Sequence, residues 1–496
     1  MPFASASSPP QSWLRGGLAI ASGLLLAGLY PPFNLAFFGW IALTPLILAV
    51  DGARSRTGFF LGWLSGTVGS LAATGYWIFR AAHDYFQLSQ AGAAGFAVAV
   101  TQLFVSGYFG LFGLTAALVS GRRLRVLLIP ALFVASEYAR ARLLSGCPWE
   151  LLGHSQHAVT LVQICDLTGV YGLSFLLALV ATAATELRRG YAPALAAGLT
   201  LLAVLLYGEW RLDDLAHHTD GSINVVLVQG NLPNDRRGRP ELFSQQLDHY
   251  LDLSLRASTP HPDLIVWPEN AVGFFLETNP GLRQRITDLL HSLNAALIVG
   301  APRAGTRPGV AALHNSAYLV TDAGLAAVYD KRKLLPFVER LPLRPQDGPY
   351  LPGAEPTVFV VAGVRLGALI CYEAIYPTLA RELVQVGAQV LVNISNDSWF
   401  EAGAGPQQHY GIARFRAVEN HVSLVRVTNS GISGAIDPAG RDIAELPPRV
   451  ARAQSLTIPV ATGGSFYSRH GDVFALGCIL ASVVALAHSR LRQLPQ

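Results

Sequence analysis

The chain has 496 residues, enough for two or three domains of ordinary size. Hydrophobic residues make up 51% of it and charged residues only 14%, against roughly 25% charged in an average soluble protein, which indicates a membrane protein. The net charge of +4 is small for this length and no dense basic tract is present, so the composition argues against a nucleic-acid-binding protein.

Two residue types are rare. The four cysteines have neither the spacing of a metal site nor that of a disulfide framework, so we expect no metal. Lysine and arginine together number 36, and only Lys331 and Lys333 are lysines. An ammonium is a compact charge that can give up a proton, which a guanidinium does not do. The scarcity therefore predicts a chemical role for one of these lysines.

Eight apolar stretches are candidates for membrane-spanning helices, which need about 20 mostly apolar residues. They lie at about 16–31, 33–50, 58–80, 91–119, 126–142, 161–186, 191–209 and 472–488. Most arginine clusters follow alternate stretches, and cytoplasmic loops are the arginine-rich ones. This pattern predicts cytoplasmic termini, a membrane domain of about seven helices at 1–210, an extracytoplasmic domain at 211–470, and a last helix with a cytoplasmic tail at 471–496.

The segment 211–470 has the pattern of an α/β domain. Apolar strand-like runs alternate with amphipathic helical stretches, and strands that are apolar throughout are typical of a sheet covered on both faces. The predicted strands are 223–231, 263–270, 295–303, 363–373, 389–397 and 423–431, and the predicted helices are 240–257, 279–293, 376–387 and 407–421. Polar residues collect at the carboxyl ends of the strands, where open α/β sheets bind ligands.

Three strand or loop ends carry reactive groups: Glu269 in "VWPEN", Lys331 and Glu339 in "YDKRKLLPFVE", and Cys371 in "LICYE". A thiol has a pKa near 8.5 and needs a base to become a good nucleophile. Glu269 is the candidate base. Lys331 is expected to favour the thiolate and, with the backbone N–H of Tyr372, to stabilise a tetrahedral oxyanion. The residue types predict acyl transfer.

These motifs resemble those of the nitrilase (carbon–nitrogen hydrolase) superfamily. With the helices on both sides of the α/β domain, the chain resembles one membrane branch, the apolipoprotein N-acyltransferases. Further stretches that carry the resemblance are "GCPWELLGHSQ" (146–156), "LVQGNLP" (227–233), "NDSWF" (396–400), "ARFRAVEN" (413–420), "RVTNSGISGAIDPAG" (426–440) and "YSRHGD" (467–472).

The resemblance implies an αββα sandwich and a reaction in two steps without a cofactor. Cys371 takes an acyl chain from a phospholipid as a thioester, and the free α-amino group of a diacylglyceryl-cysteine apolipoprotein then accepts it. Glu339 would assist Lys331, while Tyr372 and Glu373 would shape the site. The resemblance also implies a monomer in the bacterial inner membrane, with its catalytic domain in the periplasm.

Two positions depart from the family pattern. Val338 stands where the family's "PFGE" has glycine, and Gly238 lies near the position of a tryptophan that follows the "QGN-P" motif in other members. The valine is expected to stiffen or redirect the loop that bears Glu339. The glycine puts a lipid or substrate contact made by that tryptophan in doubt.

Other interpretations remain open at this point. Cys371 could be a structural thiol or pair with Cys147, and Glu339 could bind an arginine. A membrane-tethered amidase would use the same residues with water, and a receptor or transporter would use none of them. Aromatic residues in loops near the site are either core residues or guides for acyl chains in the outer leaflet: Trp267, Phe274, Phe275, Trp399 and Phe400.

One charged residue lies within a predicted span. Glu137 falls in the stretch 126–142, where a charge is costly. We expect it to pair with Arg140 or to meet another helix, and a role in lipid entry is the alternative.

Overall fold

The computed structural model describes residues 11–122, 124–217, 220–233, 239–258, 261–307, 310–340, 348–400 and 403–491. Gly238, where the sequence departs from the family pattern, lies outside these residues. The first half of the described chain is helical, the second half is α/β, and the last helix packs against helices of the first half.

The helical half is made of short and long helices. They are α1 (Gln11–Gly28), α2 (Thr44–Val50), α3 (Ser55–Ser70), α4 (Tyr76–Arg80), α5 (Gln90–Thr101), α6 (Gly107–Val119), α7 (Arg125–Arg142), α8 (Val159–Val162), α9 (Cys165–Thr168), α10 (Val170–Glu186) and α11 (Ala192–Ala216). Wider π-helical turns continue α3 into α4 and α5 into α6 without breaking the rod.

Two of these rods are long and apolar enough to cross a bilayer within the described residues: α5 with α6 (Gln90–Val119), and α11. The helices from Val159 to Glu186 form a third span if the 115° bend between α9 and α10 is counted within one span. The predicted span 33–50 is a 3-10 turn followed by α2. The helical character of this half is therefore established, while the count of eight spans stays a prediction.

The second half is a sandwich of two six-stranded sheets. The first sheet has the order β12-β1-β2-β3-β4-β5, and the second has the order β11-β10-β9-β8-β7-β6. The strands are β1 (Ser222–Gln229), β2 (Leu264–Val266), β3 (Ala296–Arg307), β4 (Val310–Thr321), β5 (Gly324–Asp330), β6 (Val358–Val361), β7 (Val364–Ile370), β8 (Val390–Ser395), β9 (Ser423–Thr428), β10 (Ser433–Ile436), β11 (Asp442–Leu446) and β12 (Arg452–Pro459). Strands β1 to β3 run parallel, as do β7 to β9.

Helices cover both outer faces of the sandwich. α12 (Phe243–Ala257) and α13 (Pro280–Leu293) pack on the first sheet, and α14 (Pro377–Gln385) and α15 (Gly405–Asn420) pack on the second. Apolar side chains of both sheets fill the space between them. The predicted αββα arrangement is confirmed. Each sheet is covered by helices on one face and by the other sheet on the opposite face, which explains why its strands are apolar throughout. The chain then continues through α16 (Phe466–His470) into α17 (Val473–Leu491).

Trp267 and Phe274 belong to the layer between the first sheet and its helices. Trp267 is fully buried, stacks on Tyr250 and donates a hydrogen bond from Nε1 to Oγ of Ser254 at 2.9 Å. Phe274 is 2% exposed and packs on Phe243. Of the two alternatives left open for them, Trp267 and Phe274 are therefore core residues and not guides for acyl chains.

The two halves meet at a buried amide. The Gln408 side chain on α15 accepts hydrogen bonds from the indole N–H groups of Trp77 and Trp149, at 3.1 and 3.0 Å. Its Nε2 donates to the carbonyls of Pro31 and Ala73, at 2.9 and 3.1 Å. A buried amide that satisfies four partners fixes their relative positions, because leaving any of them unpaired would carry a desolvation cost.

Candidate active site

Cys371 is the first residue after β7 and begins a single 3-10 turn, Cys371–Ile375. Its backbone has a φ of +53°, a left-handed conformation that is uncommon for a residue with a side chain. Asn393 on the neighbouring strand β8 donates from Nδ2 to the carbonyls of Leu369 and Cys371, both at 3.3 Å. The thiol is thus held at the carboxyl end of a parallel strand and is only 3% exposed.

Lys331 follows β5 and is buried between two carboxylates. Its Nζ lies 3.3 Å from Oε1 of Glu269 and 2.9 Å from Oε2 of Glu339. Asn315 on β4 donates from Nδ2 to both carboxylates, at 2.7 and 2.8 Å. Burial disfavours the ammonium, but the two carboxylates outweigh it and hold the pKa of Lys331 well above its usual range. Lys331 is therefore a permanent cation.

Glu269 reaches Lys331 because the loop after β2 passes directly over β3. A side chain at Gly300 would lie 2.6 Å from the backbone nitrogen of Asn270 and from Cα of Glu269, so only glycine fits there. Glu269 and Lys331, two of the three groups that the sequence suggests could meet with Cys371, are in direct contact, and Glu339 contacts Lys331 as the resemblance implies. Glu339 also accepts a hydrogen bond from the backbone N–H of Leu335 at 2.8 Å, so it pairs with lysine rather than with an arginine.

The Cys371 thiol interacts electrostatically with this cluster. Burial and the charge of Glu269 raise the pKa of Cys371, Lys331 opposes them, and the net pKa is about 12. Lys331 thus favours the thiolate, as expected, but its effect is smaller than the other two and the resting thiol is protonated. A protonated thiol needs a base at the moment of attack, and Glu269 is the carboxylate beside it.

Glu373 connects the loop of the nucleophile to the loop of the lysine. Its carboxylate is fully buried and accepts hydrogen bonds from the backbone N–H groups of Ile370 and Arg332, both at 2.7 Å. It also accepts from the hydroxyl of Tyr329 at 2.9 Å and from the N–H of Lys333 at 2.9 Å. With its oxygens occupied in this way, Glu373 positions Cys371 and Lys331 relative to each other.

Tyr372 points away from the sandwich, towards the helical half. Its ring packs edge-on against Tyr376 at 5.2 Å, and its side chain interacts with the Cys147 thiol. Cys147 and Cys371 are both free, so the disulfide alternative is not formed in this structure. The Tyr376 hydroxyl donates to the carbonyl of Gly146 at 2.9 Å, which anchors the loop 146–156 on the α/β half of the chain, called the catalytic half below.

A large apolar cavity lies between the two halves, with an empty volume of about 1250 Å³ that is partly open to the outside. The helices α3 to α7 form most of its wall, and the catalytic half contributes Leu335, Pro336, Phe337, Val338, Tyr372 and Trp399. The Phe337 ring packs edge-on against Phe96 of α5 at 5.5 Å. The loop that bears Glu339 is therefore docked on the helices, and the cavity reaches the edge of the site.

The valine that departs from the family pattern fits this loop. The residue with a left-handed backbone is Phe337, with a φ of +67°, whereas Val338 has no positive φ. Val338 is half-buried in the cavity wall, and its N–H donates to the carbonyl of Leu335 at 3.4 Å. Position 338 therefore does not require glycine in this chain.

The remaining aromatic residues occupy two places. Trp399 lines the apolar cavity, and Phe400 is buried beside it against Trp77, with ring centroids 4.9 Å apart. Phe275 is half-buried at a second cavity of about 860 Å³, whose wall includes Asn270 and other amide side chains. Of the five aromatic residues predicted to guide lipid, only Trp399 lines the apolar cavity.

Comparison with known proteins agrees with this architecture. Residues 22–183 match the family model for the apolipoprotein N-acyltransferase N-terminal domain, and residues 225–464 match that for carbon-nitrogen hydrolase. An apolipoprotein N-acyltransferase of Geobacter metallireducens is 36% identical over 95% of this chain and 94% of its own. The chain belongs to the apolipoprotein N-acyltransferase family. A Pseudomonas aeruginosa member is 32% identical over 88% of both chains.

Among solved structures, an amidase from Nesterenkonia sp. is similar to the catalytic half. It is 21% identical, covers 51% of this chain and 95% of its own, and has a TM-score of 0.37.

Replacing the two charged neighbours of Cys371 should separate thiol acidity from catalysis. In Glu269→Gln the thiol pKa falls, because a negative charge is removed, so alkylation by iodoacetamide at pH 8 becomes faster. Acyl transfer nevertheless drops by about 10²- to 10⁴-fold, because the base is lost. In Lys331→Met the thiol pKa rises and both rates fall.

Lys333→Met is the matched control, since Lys333 lies over the Tyr376 ring at 4.8 Å and outside the cluster. Both rates should stay near those of the unaltered protein. Slower alkylation in Glu269→Gln would contradict the conclusion that the charge of Glu269 raises the pKa of the Cys371 thiol.

Proposed function

We propose that this enzyme moves a fatty acyl chain from a phospholipid to the free α-amino group of a diacylglyceryl-cysteine apolipoprotein, through a thioester on Cys371. The observation that carries the proposal is the position of the site. Tyr372, which follows the buried thiol of Cys371, and Val338, which precedes the Glu339 partner of Lys331, both line an apolar cavity to which the helices and the sandwich contribute. A soluble substrate would have no use for such a cavity, whereas acyl chains fit it.

In the first step, Glu269 accepts the proton of the Cys371 thiol as the sulfur attacks the ester carbonyl of the phospholipid. Lys331 and the backbone N–H of Tyr372 stabilise the oxyanion that forms. The tetrahedral intermediate then collapses, and the ester oxygen leaves as the alcohol of a lysophospholipid with the proton from Glu269. Glu339 and Asn315 keep Lys331 in place throughout, at the distances observed in the resting site.

In the second step, the neutral amino group of the acceptor attacks the thioester carbonyl. Glu269 accepts a proton from the nitrogen and returns it to the sulfur as the amide forms, which regenerates the Cys371 thiol. The thioester keeps the acyl group activated between the two lipid substrates. Glu373 and Tyr372 take no part in proton transfer. Glu373 holds the loops, and Tyr372 shapes the wall that the acyl chain passes.

The placement of the chain in the membrane is part of the proposal. We place eight spans and both termini as the arginine pattern predicts, with the sandwich in the periplasm and the protein acting as a monomer in the inner membrane. Support comes from α11, where Leu195, Leu199, Leu202 and Leu206 are each more than half exposed on one helical face. An apolar face of this kind on a helix of 25 residues is suited to lipid.

A membrane-tethered amidase is the closest competing function, because it would use the same residues with water as the second nucleophile. Incubation of the purified protein with phospholipid but no acceptor should add the mass of one acyl chain at Cys371, seen by intact mass spectrometry and peptide mapping. A diacylated lipopeptide should discharge that mass as an amide, while buffer alone should leave it. Rapid loss of the acyl group to water would favour the amidase, and a Cys371→Ala variant that still gains mass would contradict the thioester.

The topology has its own test with a membrane-impermeant maleimide. Asp322→Cys, in the exposed turn between β4 and β5, should be labelled in spheroplasts. Gly121→Cys, between α6 and α7, should be labelled only after the membrane is permeabilised, and a side chain at position 121 meets no atom within 4 Å. The unaltered chain gives the background from its native cysteines. The reverse pattern would place the sandwich in the cytoplasm.

A further inference from the structure

Three charged side chains stand in the wall of the apolar cavity. Glu137 and Arg140 come from the last turns of α7, and Glu150 comes from the loop that follows it. Charged groups are expensive to bury in an apolar environment, and they are retained where they have partners or bind a ligand. The proposed reaction as described so far uses none of the three.

Arg140 is 4% exposed and has little to bind. Its guanidinium donates to the carbonyl of Glu150 at 3.0 Å and forms no ion pair with a carboxylate among the described residues. The expected pair with Glu137 is not formed. Glu137 accepts instead from the backbone N–H of Leu152 at 2.6 Å through Oε1, and its Oε2 has no partner among the described residues. A guanidinium has five N–H groups, so Arg140 retains donors for a ligand in the cavity.

The third residue, Glu150, is buried in surroundings that disfavour its charged form. Burial raises the pKa of Glu150 to about 8, although Arg140 opposes this rise. At pH 7 the Glu150 carboxyl is therefore mostly protonated and does not neutralise Arg140. Its Oε1 atom has no hydrogen-bond partner among the described residues. The wall thus offers a guanidinium and a carboxylic acid to a bound anion.

The position of Arg140 connects it to the nucleophile. Its backbone carbonyl accepts from the N–H of Cys147 at 2.9 Å, and the Cys147 thiol interacts with Tyr372, the neighbour of Cys371. Arg140, Cys147 and Tyr372 all line the same cavity. A lipid in this cavity can therefore meet a cation along the same wall that leads to the thiol.

We propose that Arg140 binds the phosphate of the donor phospholipid. This inference rests on the proposed function and adds that Arg140 selects between lipid substrates. A guanidinium matches the geometry of a phosphate and forms charge-assisted hydrogen bonds to it. The acceptor lipid carries no phosphate, so Arg140 distinguishes the donor of the acyl chain from its acceptor and favours phosphate-bearing esters over neutral glycerides.

The test compares three acyl donors in mixed micelles: phosphatidylglycerol, diacylglycerol with the same chains, and p-nitrophenyl butyrate. The readout is the rate of acylation of Cys371 in the full-length protein at donor concentrations below saturation. In Arg140→Gln the rate with phosphatidylglycerol should fall about 10- to 100-fold, as expected for a lost charge-assisted hydrogen bond. The rates with the two phosphate-free donors should stay within about twofold.

The matched control is Arg142→Gln, which removes the same charge two residues further along α7. Arg142 pairs with Asp472 and does not line the cavity. Its three rates should keep the ratios of the unaltered protein. Arg140→Lys keeps the charge without the planar fork and should lose less of the phosphatidylglycerol rate than Arg140→Gln. An equal loss with all donors, or no loss with phosphatidylglycerol, would overturn the proposal.

A second measurement needs no variant and applies if Arg140→Gln does not fold. In the unaltered protein, lysophosphatidylglycerol should slow the release of p-nitrophenol on acylation of Cys371 by p-nitrophenyl butyrate at concentrations at least tenfold below those of monoacylglycerol, because only the former carries a phosphate. Equal inhibition would overturn the phosphate site while leaving the acyltransferase intact. Failure of the unaltered protein to form a thioester with any ester would instead overturn the proposed function, and this inference with it.

Discussion

The structure depends on one buried ammonium. Lys331 is 1% exposed and is held by Glu269 on one side and Glu339 on the other. An isolated charge at this depth would be strongly destabilising, and the two carboxylates together with the Asn315 amide make it tolerable. The same arrangement gives the site its chemistry. A fixed cation stands where an oxyanion would develop, next to a carboxylate and a thiol whose proton is held tightly until attack.

The pairing of the Lys331 ammonium with Glu339 also links the catalytic cluster to the helical half of the chain. The loop that carries Glu339 is docked on α5 through Phe337, so the helices help to place a carboxylate of the catalytic cluster. Tyr372 and the loop 146–156 form a second connection beside the nucleophile. The apolar cavity is lined by residues of both halves beside these connections. In the proposed reaction, this cavity brings a lipid substrate to a site that is otherwise buried inside the sandwich.

Much of the catalytic half could be predicted from the sequence, because apolar runs of strand length ended in polar residues. Parallel strands place their carboxyl ends at one edge of a sheet, so polar groups could be expected after β2 and after β7. Glu269 and Cys371 belong to different sheets, however, and only the packing of the two sheets brings their side chains into electrostatic contact. Asn315 was not predicted, although three consecutive polar residues, His314, Asn315 and Ser316, between apolar stretches of β4 are a signal that could have been used. The bonds of Glu373 to backbone N–H groups leave no trace in a linear pattern, since its partners are about 40 residues away.

Two kinds of expectation depended on information that local sequence lacks. Trp267 and Phe274 follow a strand near the site, but their side chains turn to the outer layer of the sandwich, and only the packing decides between the two sides. The predicted spans were defined by hydropathy alone, whereas in the folded chain the stretch 33–50 is a 3-10 turn and a short helix, and 161–186 is bent by 115°. Of the two expectations for Glu137, the pair with Arg140 is not formed, because one carboxylate oxygen accepts from the backbone N–H of Leu152 instead.

The most direct test of this account is a structure of the protein in lipid nanodiscs with a stable acyl group on Cys371. The account predicts that the acyl chain lies in the apolar cavity between the helices and the sandwich, with its carbonyl oxygen facing Nζ of Lys331 and the N–H of Tyr372. An acyl chain that leaves the sulfur through the second cavity near Phe275, or a carbonyl oxygen turned away from Lys331, would contradict it.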